Sequence, residues 1–141
     1  MSASVACIIY DESKKQILIA HRNPTGDMGN RWEFPGGKID EGETPSVAIE
    51  REMMEEFSVK ATVHQKITST TFEHKGKLCT LDAFLVSVDH DGLEKPYVLT
   101  EHQGYKWINP EEVRNISFVD SDLKIYPEVM DFLKKNFSLE S

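Results

Sequence analysis

Short apolar runs alternate with polar breaks over the first forty residues, which is the pattern of β-strands joined by turns. The runs SVACIIYD and QILIAHR are separated by the polar stretch ESKK, and together they predict a β-hairpin. The segment from Asn23 to Asn30, NPTGDMGN, is dense in turn-forming residues and predicts a loop. The following stretch, RWEFPGGKI, predicts a short extended piece that ends at Pro35 and the pair Gly36-Gly37.

The next segment has the period of an amphipathic helix. Thr44 is a suitable N-cap, and Pro45 suits the first helical position, so a helix is predicted from Pro45 to about Phe57. Ile49, Met53 and Phe57 recur at helical spacing and form an apolar stripe that can pack on a sheet.

The second half of the chain predicts more strands and a final helix. VKATVHQKITSTTFEH and KLCTLDAFLVSVDH are rich in Thr, Val, Leu and Phe, and they predict two strands joined around Lys75-Gly76. DGLEKP predicts a loop, GYKWIN a short strand, and PEEVRNI a helical turn after Pro110. The tail DLKIYPEVMDFLKKNF has largely helical spacing, and Pro127 either starts its main helix or interrupts it.

These elements predict the fold class. Strands and helices are mixed with antiparallel hairpins, so the class is α/β or α+β, with a mixed sheet covered by helices. The 141 residues suit one domain spanning residues 1–141, because the sequence has no repeat, low-complexity tract or interdomain linker.

Composition and charge narrow the range of partners. A formal net charge of −8 disfavours a nucleic-acid polymer as partner, since phosphate backbones attract basic patches. No apolar run reaches the length of a membrane span, and no secretion signal is evident, so we expect a cytoplasmic protein. Cys7 and Cys79 lie in apolar runs without metal-ligand spacing, and we expect buried free thiols.

The acidic residues are concentrated where the first helix is predicted. Seven acidic and two basic side chains lie between Gly37 and Val59, and like charges at helical spacing cost roughly 0.2–0.5 kcal/mol per pair. Glu52, Glu55 and Glu56 fall on one arc of the helix. Such oxygen-rich clusters suit Mg²⁺, which would supply the missing positive charge. The ordinary alternative is a solvated acidic helix face.

The spacing around this helix resembles the Nudix hydrolase box. That pattern is a glycine, a glutamate six positions later, then RE-x-x-EE beginning eight further on, and finally a glycine and an aliphatic residue. Six of its seven fixed letters match, and Val59 fills the aliphatic position. Ser58 stands where the family has glycine, and Met53 where it usually has Ile, Leu or Val. The matching residues are Gly37, Glu43, Arg51, Glu52, Glu55 and Glu56.

The resemblance implies a fold, a reaction and a metal. The fold would be a Nudix α/β/α sandwich with a mixed sheet between helices, and the reaction the cleavage of a nucleoside diphosphate linked to another group. The cofactor would be Mg²⁺, with Mn²⁺ as a substitute, held by the Gly37 carbonyl and the three helix glutamates. Glu52 would instead, or also, activate the water, and Arg51 would orient it. Gly36 and Glu43 would support the box structurally.

Within the family, RWEFPGGKIDEGETP is most similar to MutT-type nucleoside triphosphate pyrophosphohydrolases and the related CTP pyrophosphohydrolases. This subgroup implies nucleotide contacts from Arg22 and Phe34, and base reading by Asp122 with Asp120 in reserve. It also implies that Glu101 joins the metal site or acts as the base. The ordinary alternatives are an exposed hairpin arginine, a loop glutamate and two aspartates that cap the last helix.

The implied activity is the hydrolysis of a (d)NTP to the monophosphate and pyrophosphate, as in nucleotide-pool sanitation. An oxidised or modified substrate, such as 8-oxo-dGTP or a modified dCTP, fits equally well, and the base stays open. The implied partner is a small-molecule nucleoside triphosphate, bound by a monomer or a homodimer. Two alternatives remain: a Nudix hydrolase of another substrate, such as ADP-ribose or a nucleotide sugar, and a non-catalytic nucleotide-binding module.

Overall fold

The computed structural model describes residues 2–24, 29–88 and 102–137, with the backbone alone described at residues 102 and 103. The strands in these ranges are β1 (Ser2–Ile8), β2 (Tyr10–Asp11), β3 (Gln16–Arg22), β4 (Trp32–Glu33), β5 (Gly36–Lys38), β6 (Ala61–His74), β7 (Lys77–Val88) and β8 (His102–Ile108). The helices are α1 (Pro45–Phe57) and α2 (Asp120–Phe137), with a 3₁₀ helix at Pro110–Asn115.

The strands form two sheets. The mixed sheet has the order β5-β1-β7-β6, in which β1 is parallel to β7 and antiparallel to β5. The antiparallel sheet contains β2, β3 and β4, and β8 pairs with the other edge of β3. Strand β1 places Val5 between Gly37 on one side and Asp82 on the other.

The two helices cover opposite faces of the mixed sheet because the side chains of β1 alternate. Val5 and Cys7 pack in one core cluster with α1, whereas Ala6 and Ile8 pack in a second cluster with α2. This arrangement confirms the predicted α/β/α sandwich, with the sheet divided into two parts. Both thiols, Cys7 and Cys79, are buried as expected.

Helix α1 has the predicted boundaries, and its ends show why. The Thr44 hydroxyl accepts the Val47 N–H at 3.2 Å, which caps the first turn. At the other end Ser58 adopts the left-handed conformation, with φ 54° and ψ 35°, and its N–H donates to the Met54 carbonyl at 3.0 Å. Ser58 therefore takes the conformation in which glycine is favoured.

The predicted hairpin across ESKK is confirmed, because β2, at the end of the run SVACIIYD, pairs antiparallel with Gln16 and Ile17 of β3. The first part of that run, β1, lies instead in the mixed sheet between β5 and β7. One prediction about the last helix is corrected. Pro127 neither starts nor interrupts the last helix, since α2 begins at Asp120 and contains Pro127. The predicted loop DGLEKP, and residues 25–28 of NPTGDMGN, lie outside the described residues.

Among the described residues, none of the helices is both long and apolar enough to cross a membrane.

Candidate active site

Two consecutive glycines let β5 approach both of its neighbours closely, β1 on one side and the acidic face of α1 on the other. Gly36 has φ +146°, and a Cβ at this position would lie 2.1 Å from the Val5 carbonyl oxygen. A Cβ at Gly37 would lie 2.7 Å from both Cδ and Oε1 of Glu52. The Glu52 carboxylate therefore rests on the backbone of Gly37, in space that any larger residue would fill.

Arg51 is the centre of the hydrogen bonds around this contact. Its Nε and Nη2 donate to the two oxygens of Glu43 at 2.8 and 2.9 Å, which is a bidentate pair. Its Nη1 donates to Glu52 at 3.0 Å and to Glu55 at 3.3 Å. Its Nη2 also donates to the Lys38 carbonyl at 3.0 Å. One guanidinium thus orients Glu52 and ties α1 to the turn before it.

Arg51 and Glu43 each shift the pKa of the other. The hydrogen bonds from Arg51 hold the pKa of the Glu43 carboxyl below its usual range, with help from the Asp40 backbone N–H. The same bond with Glu43, followed by Glu52 and Asp40, raises the pKa of Arg51 further above its usual value. Arg51 therefore supplies part of the positive charge that the acidic segment requires.

The three glutamates of the predicted metal set differ in exposure. Glu56 is 4% exposed, whereas the Glu55 side chain is 57% exposed, so the two do not share an environment. Across residues 2–24, 29–88 and 102–137, no three Asp, Glu, His or Cys side chains are grouped closely enough to hold a metal ion. Glu52 and Glu55 are instead joined through Nη1 of Arg51. The metal ligand set stays a prediction.

The donor chemistry of this region nevertheless fits a hard divalent cation. The donors are carboxylate oxygens and a backbone carbonyl, which are the ligands that Mg²⁺ prefers. The Glu52 carboxylate lies against the Gly37 backbone, with no side chain of residue 37 between them.

A second polar cluster surrounds Asp122, on the first turn of α2. Asp122 is buried, and its Oδ2 accepts the Phe34 N–H at 2.9 Å. Burial and then the Glu33 carboxylate raise the pKa of Asp122 to about 8, although the Phe34 N–H and Arg22 act in the opposite direction. Arg22 donates to Glu33 at 3.1 Å. The raised pKa favours the protonated form of Asp122, and a protonated carboxyl can both donate and accept hydrogen bonds.

Asp120, the reserve candidate for base reading, has a different environment. Its side chain is 69% exposed and pairs with Arg31 at 3.0 Å. Residues two apart on a helix point in nearly opposite directions, about 200° apart, so only one of the two aspartates faces the interior. That residue is Asp122, and it lies beside Phe34, which is itself buried against Phe118 at a centroid distance of 5.0 Å.

Cys7 is a buried thiol on β1. Its pKa is raised by burial first and then by the charges of Glu52 and Asp122. A thiol with a raised pKa is unreactive, so we expect Cys7 to act by packing.

The structure brings together most of the residues singled out in the sequence, in two groups. Gly36, Gly37, Glu43, Arg51, Glu52 and Glu55 form the first, and Arg22, Phe34 and Asp122 form the second. Glu101 lies outside the described residues. Sequence reasoning missed Glu33 and Arg31, although both are polar residues in the otherwise apolar run before the glycines.

Comparison with known proteins gives consistent results. The family model described as NUDIX domain matches residues 2–129. The CTP pyrophosphohydrolase of Escherichia coli (strain K12) is 33% identical over 126 residues, which cover 89% of each chain. The 8-oxo-dGTP diphosphatase of Proteus vulgaris is 33% identical over 87 residues, covering 62% of this chain and 74% of the relative. The solution structure of the E. coli ORF135 protein superimposes with a TM-score of 0.79 at 28% identity, covering 96% of this chain and 93% of that chain.

Proposed function

The chain belongs to the Nudix hydrolase family, and from that premise we propose that it cleaves a nucleoside triphosphate into the nucleoside monophosphate and pyrophosphate. The observation that carries the proposal is the Glu52 carboxylate, oriented by Arg51 and resting on the Gly37 backbone. The pyrophosphohydrolase and diphosphatase names of the relatives support the same reaction.

We assign the binding of Mg²⁺ to the Gly37 carbonyl and to Glu52, Glu55 and Glu56, with Mn²⁺ as a substitute. When bound, the cation neutralises charge on the polyphosphate and lowers the pKa of a coordinated water. Glu101 stays a predicted further ligand or general base.

The chain's own residues supply orientation and proton transfer. Arg51 donates to Glu52 Oε1, which helps to orient the carboxylate that rests on the Gly37 backbone. We propose that Glu52 accepts the proton from the attacking water, in addition to binding Mg²⁺ or instead of it. Because Glu43 engages two nitrogens of Arg51, it holds the guanidinium in one orientation, and its role is structural.

Recognition of the base falls to the Asp122 cluster. A neutral carboxylic acid presents one donor and one acceptor, so Asp122 can pair with the edge of an oxidised purine or of a cytosine. Phe34 would line the pocket, and Arg22, held by Glu33, would contact the nucleotide. The names of the two relatives support CTP and 8-oxo-dGTP as the first substrates to compare.

The experiment measures pyrophosphate and monophosphate release from the canonical NTPs and dNTPs, 8-oxo-dGTP and 5-methyl-dCTP, with ADP-ribose as a comparison. We expect activity with Mg²⁺, loss with EDTA and recovery on adding Mg²⁺. Glu52→Gln should lower kcat at least ~100-fold, because it removes the proton acceptor. Glu50→Gln is the matched control, since Glu50 is an exposed glutamate on the same helix.

Three outcomes would contradict the proposal. Unchanged pyrophosphate release by Glu52→Gln would remove Glu52 from the reaction. Cleavage of ADP-ribose in preference to every triphosphate would favour the other substrate class. Binding of nucleotides without product would favour a non-catalytic module.

A further inference from the structure

A cluster of three side chains on the antiparallel sheet has no role in the proposed reaction. The His21 imidazole stacks on the Trp32 indole, with ring centroids 4.3 Å apart and an angle of 8° between the planes. The Lys106 Nζ lies 4.5 Å from the centroid of the same indole. We call His21, Trp32 and Lys106 the Trp32 clamp. Stacking and a cation–π contact both restrict the indole to one orientation.

On one side, the clamp is bonded to the backbone around Arg22. His21 Nε2 lies 2.9 Å from the Asn30 carbonyl, and since a carbonyl only accepts, the ring nitrogen is the donor. The Asn30 N–H donates to the Asn23 carbonyl at 3.2 Å. The Arg22 N–H donates to the Arg31 carbonyl at 2.9 Å. His21 therefore holds the Asn30–Arg31 segment, whose Arg31 carbonyl accepts the backbone N–H of Arg22.

On the other side, the backbone of Trp32 is bonded to the segment that leads into α2. The backbone N–H of Trp32 donates to the Ser117 carbonyl at 2.8 Å, and the backbone N–H of Val119 donates to the Trp32 carbonyl at 2.9 Å. The next residues form the first turn of α2, which carries Asp122. Two residues after Trp32, the Phe34 N–H donates to Asp122 itself. Trp32 thus connects the strand end at Arg22 with the helix start at Asp122.

We propose that His21 is a positioning residue for base discrimination, acting through Trp32 on the spacing between Arg22 and Asp122. The inference rests on the proposed function, because it assigns His21 to the selectivity of the same pocket. Pockets that discriminate by hydrogen bonding depend on geometry, so loosening one wall reduces the preference for the better substrate. His21 itself need not touch the nucleotide.

The test compares wild type with His21→Ala on the two nucleoside triphosphates that wild type cleaves best. The readout is the ratio of their kcat/KM values, in which the fraction of active protein cancels. From the loss of one stack and one hydrogen bond, we expect this ratio to fall about fivefold, with KM for the better substrate rising similarly and kcat changing less than about twofold.

Two conservative variants separate the two contacts of His21. His21→Phe keeps an aromatic ring on Trp32 without the donor to Asn30, whereas His21→Gln keeps a donor without the ring. We expect each to recover part of the lost ratio. If His21→Ala folds poorly, these two variants still test the proposal. The matched control is His64→Ala, which removes a histidine bond to the Ser87 hydroxyl (2.6 Å) on the mixed sheet.

The outcomes distinguish this inference from the proposed function. If wild type releases no pyrophosphate from any triphosphate, the proposed function fails at that step. If wild type is active and His21→Ala keeps the wild-type ratio, the inference is overturned and His21 is a surface residue that stabilises the sheet. An equal fall of the kcat/KM ratio in His64→Ala would also overturn the inference.

Discussion

The buried Asp122 carboxyl should make the stability of the protein depend on pH, and Asp122→Asn should remove that dependence. Asparagine resembles the neutral acid in shape, and its Oδ1 can accept the Phe34 N–H as Oδ2 of Asp122 does. It cannot ionise, so it eliminates the cost of burying a charge beside Glu33.

The sign and size follow from the raised pKa. Between the ordinary pKa of Asp, near 4, and the folded value of about 8, the folded protein binds more protons than the unfolded chain. The stability contributed by the protonated acid is complete below pH ~4 and is lost as pH rises to about 8. At ~1.4 kcal/mol per pH unit for one proton, the roughly four pH units of this range correspond to a loss of about 5 kcal/mol in wild type.

The assay is urea unfolding at one-unit steps from pH 4 to pH 9. Asp122→Asn should match wild type near pH 4, and its advantage over wild type should grow with pH until about pH 8. Asp120→Asn is the control, because Asp120 is exposed and paired with Arg31, and it should keep the wild-type slope. The reasoning is refuted if Asp122→Asn retains the wild-type pH dependence, or if wild type shows none.

Three further substitutions test the Arg51 network and the end of α1. Gly37→Ala puts a Cβ 2.7 Å from Glu52, so pyrophosphate assays should show kcat at least ~100-fold lower; unchanged kcat would contradict the contact. Arg51→Lys loses the bidentate pair with Glu43 and should lower the free energy of unfolding by about 1–2 kcal/mol in urea, whereas an unaltered midpoint would refute it. Ser58→Gly relieves a left-handed residue and should stabilise the protein by about 0.5–1 kcal/mol, measured as a Tm increase of a few degrees.

Local signals in the sequence predict α1 well because each of its determinants lies within a few residues. Thr44 and Pro45 mark the start, and the apolar stripe of Ile49, Met53 and Phe57 is buried as its spacing indicates. The partner of β1 could not be predicted in the same way. A strand's apolar pattern indicates which face is buried, but it does not specify whether the neighbouring strand is near or distant in the chain.

In the candidate site, too, local contacts could be predicted from the sequence and long-range packing could not. The contact of Arg51 with Glu55, four residues later, follows from helical geometry, and the structure contains it. The burial of Glu56, and the choice between Asp120 and Asp122, depend on how the helices pack against the sheets. No periodicity in the sequence reports that packing, so the sequence predicts which residues are candidates and the structure separates them.

The parallel pairing of β1 with β7 has a consequence for how the protein is made. Ser2 and Cys79 are 77 residues apart, yet they lie side by side in the register of these two strands. A nascent chain leaving the ribosome must therefore carry the apolar run of β1 without its parallel neighbour until β7 has emerged. Long-range closure of this kind is slow and exposes strands to aggregation, so we expect chaperones to hold the chain until its second half is synthesised.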